Sequence, residues 1–374
     1  MYNLKRIVLL TMLLMTAFFS WAQNKSLDSG IVKLMADNHI PGLAACAIDS
    51  GKIKWTGYYG YQDILRGKPV TGKTLFAVAS TSKTVTSAAL MQLYGRGRFK
   101  MDDDINKFLP FKVANPDYPG VPIIFGELLR HRSSIKDNDD YLGQFWTVNH
   151  GDPTIPLDRF LKDYLSPGGK NYDAKKNFYD EKPDSTFHYC NVGIALVGYL
   201  VERMADMPFD QYCKKYLFEP LQMAHTAWYL KDLDTSLIAM PTAYSDSLKR
   251  YVSLGYGGYP DYPAGEMRTG VTEFAHFLIA WTQGGKFSGQ QVFKSSAIHL
   301  LTPADYDLGF YTWFLFPTDK GRILYMHTGG DIGVNAFIGF SPSTKKGIII
   351  LMNGVIDSNE QFRKLINLIY DAAP

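Results

Sequence analysis

A serine and a lysine three residues apart, Ser80 and Lys83, are the strongest chemical signal in the sequence. Residues 84–94 are mostly small or apolar, and glycines follow at 95 and 97, so we predict a helix that begins near Ser80. Positions i and i+3 share one face of a helix. A buried amine near the positive end of the helix dipole loses proton affinity and could accept the serine proton. An N-cap serine and an ion-paired lysine are the structural alternatives.

Two further groups of polar residues stand at the ends of predicted elements. Tyr189 and Asn191 come just before residues 192–201, an almost wholly apolar run that predicts a buried helix. The stretch His327-Thr328-Gly329-Gly330 ends an apolar run that predicts a strand. Both groups therefore lie where a helix or strand could hold them rigidly beside Ser80.

In this order, serine–lysine, tyrosine-x-asparagine and x-Thr-Gly resemble the motifs of the serine β-lactamase and penicillin-binding-protein superfamily. The tyrosine is similar to that of the class C-like branch, which includes carboxylesterases and D-amino-acid peptidases. The resemblance covers about residues 27–372. Other stretches similar to connecting segments of the family are Ile40-Pro41-Gly42, 125–131, Pro263-Ala264-Gly265 and Leu308-Gly309-Phe310.

The resemblance implies a role for each residue. Ser80 would be the nucleophile and Lys83 the base or proton relay. Tyr189 would pass a proton to the leaving group and then activate the deacylating water. The N–H groups of Ser80 and Gly330 would form the oxyanion hole. Asn191 would contact the carbonyl or amide of the acyl side chain, or cap the helix that starts there; a buried core tyrosine is the alternative for Tyr189.

The third motif departs from the pattern of the drug-degrading relatives. Those proteins usually carry lysine at the position of His327, where its charge helps to hold a substrate carboxylate. Histidine is at best partly charged at neutral pH, so affinity for a β-lactam carboxylate should fall. Thr328 and Gly329 complete the predicted substrate-binding strand, and the glycines let it lie close to the substrate.

A tyrosine-rich, glycine-rich loop precedes Pro263-Ala264-Gly265. Glycine gives such a loop mobility, and tyrosines can stack on an apolar or sugar-like ligand. We therefore predict that Tyr256, Tyr259 and Tyr262 border the substrate pocket. Ordinary loop packing is the alternative.

The N-terminus has the features of a secretory signal peptide. Lys5 and Arg6 precede an apolar run, and small residues precede a cleavage site after Ala22. Removing residues 1–22 takes away these two positive charges and no acid, so the formal charge falls from +3 to +1. A nearly neutral chain gives no indication of a nucleic-acid partner. We expect an exported protein, periplasmic or secreted, without stable membrane insertion after cleavage.

The cysteines and histidines indicate neither a disulfide framework nor a metal site. Cys46, Cys190 and Cys213 cannot all pair within one chain and have no recognisable spacing, so we expect unpaired, mostly buried thiols. No histidine pair has the H-E-x-x-H spacing, and G-x-S-x-G is absent. We therefore expect no metal and no cofactor.

The predicted fold class is α+β, β-lactamase/transpeptidase-like. An antiparallel sheet of five or more strands should be flanked by helices 27–39 and 362–371, with a mainly helical lobe beside it. A single catalytic domain would span 23–374, with the sheet lobe from 23–75 and 321–374 and the helical lobe from about 84–320. The predicted strands are 43–49, 52–59, 323–327, 335–340 and 347–352.

The predicted function is that of an exported serine hydrolase acting through an acyl-enzyme on an ester, a small amide or a peptide. The same intermediate would serve an acyltransferase, so sequence leaves these two open. A β-lactamase and a slowly deacylating penicillin-binding sensor are further alternatives. His327 disfavours the former, and Tyr189, as a route for deacylation, disfavours the latter.

Overall fold

The computed structural model describes residues 25–146, 151–303 and 311–372. The predicted signal peptide and Leu308-Gly309-Phe310 lie outside these ranges. The strands are β1 (Gly42–Asp49), β2 (Lys52–Asp63), β3 (Lys68–Pro69), β4 (Leu75–Ala77), β5 (Thr242–Ser245), β6 (Arg250–Ser253), β7 (Arg268–Gly270), β8 (Lys286–Phe287), β9 (Gln290–Gln291), β10 (Phe314–Pro317), β11 (Ile323–Asp331), β12 (Val334–Phe340) and β13 (Lys346–Met352).

The helices begin with α1 at residues 25–37. The others are α2 (Ser82–Gly95), α3 (Phe125–Leu129), α4 (Asp139–Leu142), α5 (Leu157–Leu165), α6 (Asn191–Ala205), α7 (Phe209–Cys213), α8 (Val271–Thr282), α9 (Ser295–Leu301) and α10 (Asn359–Ala372). A π-helical turn, Lys214–Phe218, continues α7. Short 3₁₀ turns at Ala79–Thr81 and Tyr262–Ala264 bear on the site.

A seven-stranded antiparallel sheet joins the two ends of the chain, in the order β10-β11-β12-β13-β1-β2-β3. Strand β1 pairs with β13 in a register that sets Ala45 opposite Ile350. The β1–β2 hairpin turns at Ser50-Gly51, where both residues have positive φ (50° and 77°), as a tight turn matched to strand twist requires. The predicted antiparallel sheet is confirmed, and β10 adds a strand that precedes the predicted lobe boundary at 321.

Alternate residues of the central strands face two separate apolar cores. On one side, Leu43 and Ala45 of β1 pack with α1 and α10 through residues such as Ile31 and Ile369. On the other side, Cys46 belongs to the larger core that also contains α2, α6 and α8. This period-2 alternation is what a sheet covered on both faces requires, and the packing of both terminal helices on one face is confirmed.

The helical lobe is organised around α2 and α6, which pack against each other. Residues 82–93 of α2 are all buried, and so are residues 192–201 of α6. Both helices were predicted from their small and apolar runs. The two N-termini, just after Ser80 and at Asn191, are therefore held by packing along the whole length of each helix.

Two further sequence expectations can be compared with the described residues. Cys46, Cys190 and Cys213 are free and buried, as expected. Within the three described ranges, no helix combines the length and the apolar character needed to cross a membrane.

Candidate active site

Ser80 lies in a 3₁₀ turn, Ala79–Thr81, that leads directly into α2. Ala79 has a φ of 45°, a left-handed conformation that is costly for a residue with a side chain and is concentrated at functional sites. Strand β11 lies against this turn. A Cβ on Gly329 would stand 2.3 Å from the carbonyl oxygen of Val78, so glycine is needed for this close approach.

Lys83 is completely buried and directed at Ser80. Its Nζ donates to Ser80 Oγ at 3.0 Å and to the carbonyl oxygen of Ala264 at 2.7 Å. The same Nζ lies 4.9 Å from the ring centroid of Tyr189. The structure thus brings together the three residues predicted to do the chemistry.

Tyr189 is held by His131, the last residue of the stretch 125–131 that the sequence indicates only as a connecting segment. The His131 ring stacks on the Tyr189 ring at a centroid distance of 4.6 Å and an angle of 29°. His131 Nδ1 accepts the Cys190 N–H at 3.1 Å, and the ring is 2% exposed. Burial, followed by the nearby Lys83 and His327, holds the pKa of His131 well below its usual value. A neutral imidazole therefore supports the tyrosine.

The start of α6 is capped without the side chain of Asn191. Asp137 accepts the N–H groups of Asn191 at 2.7 Å and of Val192 at 3.0 Å, and the thiol of Cys190 donates to it at 3.1 Å. Cys190 Sγ in turn accepts the N–H of Gly193. A carboxylate is favoured at this position because the first N–H groups of a helix have no acceptor within the helix and attract negative charge. The Asn191 side chain remains available to the cavity.

His327 lies on β11 and is 2% exposed. Its Nδ1 is 2.6 Å from the carbonyl oxygen of Thr328, so this nitrogen carries the ring proton in the neutral form. Burial and, to a lesser extent, the charge of Lys83 lower the pKa of His327 to about 3. His327 is therefore uncharged at neutral pH, whereas Thr328 and Gly330 are exposed at the surface of the strand.

A small cavity of about 80 Å³ opens beside the nucleophile. It is lined by Ser80, Trp146, Asn191, Tyr259, Asp261, Ala264, Gly330 and Asp331. Sequence reasoning had selected four of these residues. It missed Trp146 and the two aspartates because no pattern links a loop aspartate to a serine 181 positions away.

Asp261 is an unusual member of this cavity. It is 1% exposed, and neither carboxylate oxygen has a hydrogen-bond partner among the described residues. Burial and then the charge of Asp137 raise the pKa of Asp261 to about 7, against the lowering effects of its own backbone, of Lys83 and of the Trp146 indole. A buried polar group without a partner is rare in folded proteins and requires an explanation.

Of the three loop tyrosines predicted to border the substrate pocket, two line cavities at the site and one packs in the core. Tyr259 lines the cavity beside Ser80, and its hydroxyl donates to Asp331 Oδ2 at 3.4 Å. Tyr256 lines an adjacent cavity that also contains Tyr259 and Asp331. Tyr262 instead packs in the core against Phe209, Trp228 and Tyr229. For Tyr262, this placement favours ordinary packing over contact with a substrate.

Other features of the described residues do not compete with this site. Two larger cavities have volumes of about 290 and 550 Å³. The first is lined by twelve residues between Asp210 and Asp232 and the second by twelve between Asp104 and Pro122, and no serine or cysteine is among these lining residues. Within the described ranges, no group of three histidine, cysteine or acidic side chains could hold a metal ion. The nucleophile–base pair therefore defines the candidate site.

The family model described as Beta-lactamase matches residues 27–370. Protein flp of Staphylococcus aureus (strain MW2) is 24% identical over 335 residues, which are 88% of this chain and 63% of that protein. Beta-lactamase-like protein 2 of Dictyostelium discoideum is 26% identical over 270 residues, covering 69% of this chain and 45% of the relative. The chain thus spans less than two thirds of the length of these relatives.

Solved structures share the fold at low sequence identity. The octameric penicillin-binding protein homologue from Pyrococcus abyssi has a TM-score of 0.71 and 22% identity, with 92% of this chain and 76% of that chain covered. A class C beta-lactamase has a TM-score of 0.72 and 19% identity, with 94% and 97% covered. These likenesses establish a β-lactamase/transpeptidase fold.

Proposed function

Because the chain belongs to the Beta-lactamase family, whose members are serine hydrolases, we propose that it is an exported serine hydrolase that cleaves an ester or a small amide through an acyl-enzyme on Ser80. The observation that carries this proposal is the 3.0 Å contact between Lys83 Nζ and Ser80 Oγ at the start of a buried helix. That contact places a base within hydrogen-bonding distance of an alcohol, which is the geometry of an activated nucleophile.

The proposed acylation begins with attack of Ser80 Oγ on the substrate carbonyl, while Lys83 takes the hydroxyl proton. The N–H groups of Ser80 and Gly330 would stabilise the oxyanion. In support, the first N–H groups of a helix have no acceptor within the helix, and β11 lies against the turn that carries Ser80. Tyr189 would protonate the leaving group and then draw a proton from the water that attacks the acyl group. As the acyl bond to Ser80 breaks, Lys83 would return its proton to Ser80 Oγ.

An uncharged His327 supports an ester or amide over a β-lactam. Losing a charge-assisted contact to a substrate carboxylate costs about 1.5–3 kcal/mol, or roughly ten- to a hundredfold in affinity. Among the described residues, the lining of the cavity beside Ser80 includes two aspartates and no lysine or arginine. A substrate that brings its own carboxylate to that cavity would therefore be repelled.

Three chromogenic substrates test this proposal on the wild-type enzyme: p-nitrophenyl acetate, a D-amino-acid p-nitroanilide and a chromogenic cephalosporin. We expect kcat/KM for the better of the first two to exceed that for the cephalosporin by about a hundredfold or more. Ser80→Ala is the control for each activity. Efficient cephalosporin turnover that depends on Ser80 would contradict the substrate class and favour a β-lactamase.

Export is proposed on the N-terminal sequence, in which Lys5 and Arg6 precede the apolar run and cleavage would follow Ala22. N-terminal sequencing of the protein secreted or released from the periplasm tests this. A mature chain that begins at Gln23 is expected, and a chain that keeps Met1 would contradict it.

A further inference from the structure

Arg268 is a buried arginine whose guanidinium binds backbone carbonyls at three places in the chain. The residue is 3% exposed. Its Nη1 donates to the carbonyl oxygens of Glu266 at 2.9 Å and of Trp228 at 3.1 Å, and its Nη2 donates to that of Gly257 at 2.8 Å. Nη2 also donates to Glu266 Oε2 at 2.8 Å, so a buried carboxylate compensates the charge. A planar guanidinium carries several donors in fixed directions and can therefore hold these acceptors at defined positions.

The backbone of Arg268 gives this guanidinium a rigid base. Arg268 lies opposite Ala77 where β7 pairs with β4. On its other side it exchanges two backbone hydrogen bonds with Ala227, at 2.9 and 3.1 Å. The preceding residue, Met267, accepts the N–H of Val78 at 3.0 Å, just before the turn that carries the nucleophile. Arg268 is therefore built into the framework that supports the active site.

The loop 257–266, which Arg268 holds at both of its ends, lies at the active site. Its Ala264 carbonyl accepts the hydrogen bond from Lys83 Nζ at 2.7 Å. Residues 254–259 belong to no helix or strand, so no regular backbone pairing fixes the start of the loop. The contacts of Arg268 supply that fixation, and the acceptor for the proposed base lies between the two points that Arg268 holds.

We propose that Arg268 is a positioning residue, which holds the loop 257–266 so that its Ala264 carbonyl keeps the proposed base directed at the nucleophile. This deepens the function proposed above and rests on Ser80 being that nucleophile. A displacement of a catalytic group by about 1 Å can cost on the order of a hundredfold in rate. The effect of Arg268 should therefore appear in kcat for a small ester, since such an ester needs little from the loop for its binding.

Arg268→Lys tests the proposal, because lysine keeps the positive charge beside Glu266 but replaces the planar fork with a single ammonium group. Exhaustive labelling with a fluorophosphonate counts the intact sites, and kcat for p-nitrophenyl acetate is then expressed per labelled Ser80. We expect kcat per site to fall about ten- to a hundredfold, with KM within about threefold of the wild type. A purely structural role would lower the number of labelled sites and leave kcat per site unchanged.

The double variant Arg268→Met, Glu266→Met keeps the test decisive if Arg268→Lys does not fold. Replacing a buried ion pair with apolar residues of similar volume is often neutral or stabilising, yet this change also removes the contacts to the loop carbonyls. We expect the same fall in kcat per site. Leu161→Ala is the matched control for stability, because this completely buried residue lies in α5. It should lower the urea midpoint of unfolding and keep the wild-type kcat per site.

Two outcomes separate this inference from the proposed function. A kcat per site within about threefold of the wild type in either folded variant overturns the role of Arg268, whatever happens to KM. Absence of labelling at Ser80 in the wild type contradicts the proposed function instead.

Discussion

The Nζ of Lys83 lies 2.7 Å from the carbonyl oxygen of Ala264, a residue 181 positions further along the chain. The same Nζ donates to Ser80 Oγ at 3.0 Å. These two hydrogen bonds together fix the position of the amine that we propose as the base. The Ala264 segment is itself tightly placed, because a Cβ on Gly265 would stand 2.2 Å from the Tyr259 hydroxyl. The position of the base therefore depends on the loop that also lines the cavity.

Lys83→Met tests whether Lys83 both acts as the base and stabilises the fold through its hydrogen bond to Ala264. The change keeps an unbranched side chain but removes the amine, so we expect turnover of a p-nitrophenyl ester to fall by about 10²–10⁴-fold. The buried Ala264 carbonyl loses its donor, which should lower the free energy of unfolding by about 1–3 kcal/mol. Steady-state kinetics and urea unfolding measure the two effects.

Lys33→Met, on the exposed face of α1, is the control and should change the free energy of unfolding by less than about 0.5 kcal/mol. If Lys83→Met keeps more than a tenth of wild-type turnover, another group must be the base.

Tyr189→Phe separates the hydroxyl from the ring. The phenyl ring can still stack on His131, so stability should change little. We expect kcat to fall by about 10²–10⁴-fold, with an initial burst of p-nitrophenol if deacylation becomes the slow step. Stopped-flow measurement of burst and steady state provides the readout. A rate within threefold of wild type would mean that Tyr189 has only a packing role.

His327 should make stability depend on pH in a defined direction. Its pKa is about 3 in the folded protein and near 6.5 when unfolded, so between these values the unfolded state binds more protons. The stabilisation is therefore present above about pH 6.5 and is lost as the pH falls toward 3.

Relative to His327→Gln, the wild type should lose up to about 1.4 kcal/mol of unfolding free energy per pH unit between pH 6 and 4. Urea unfolding of both proteins at pH 7, 6, 5 and 4 measures this difference, and the comparison cancels the titration of other groups. Parallel curves for the two proteins would show that His327 is not held neutral by burial.

Replacing the loop tyrosines should affect substrate selectivity at Tyr256 and Tyr259 but stability at Tyr262. Tyr256 and Tyr259 line cavities at the site, so replacing both with alanine should raise KM for a bulky aryl ester about ten- to a hundredfold, with little effect on p-nitrophenyl acetate. Tyr262→Ala should instead lower the free energy of unfolding by about 3–5 kcal/mol, because its ring packs in the core. A selectivity change in Tyr262→Ala without destabilisation would contradict this division.

Much of the fold and of the chemistry could be predicted from local pattern. The Ser80–Lys83 spacing needs only helical geometry, and the strand around Ile350 follows from an apolar, β-branched run. Asp261 could not be found in this way. Its burial beside Ser80 depends on tertiary packing between residues far apart in sequence. Tyr259 and Tyr262 are each followed by proline, yet only the fold decides that Tyr259 lines the cavity and Tyr262 packs against Phe209 and Trp228.

The central claim is that Ser80 is the nucleophile, and the most direct measurement is fluorophosphonate labelling of the wild-type protein followed by mass-spectrometric mapping of the modified residue. We predict a single modified serine, Ser80, and loss of both labelling and ester turnover, by several orders of magnitude, in Ser80→Ala. Labelling at another serine, or ester hydrolysis that survives in Ser80→Ala, would contradict the account.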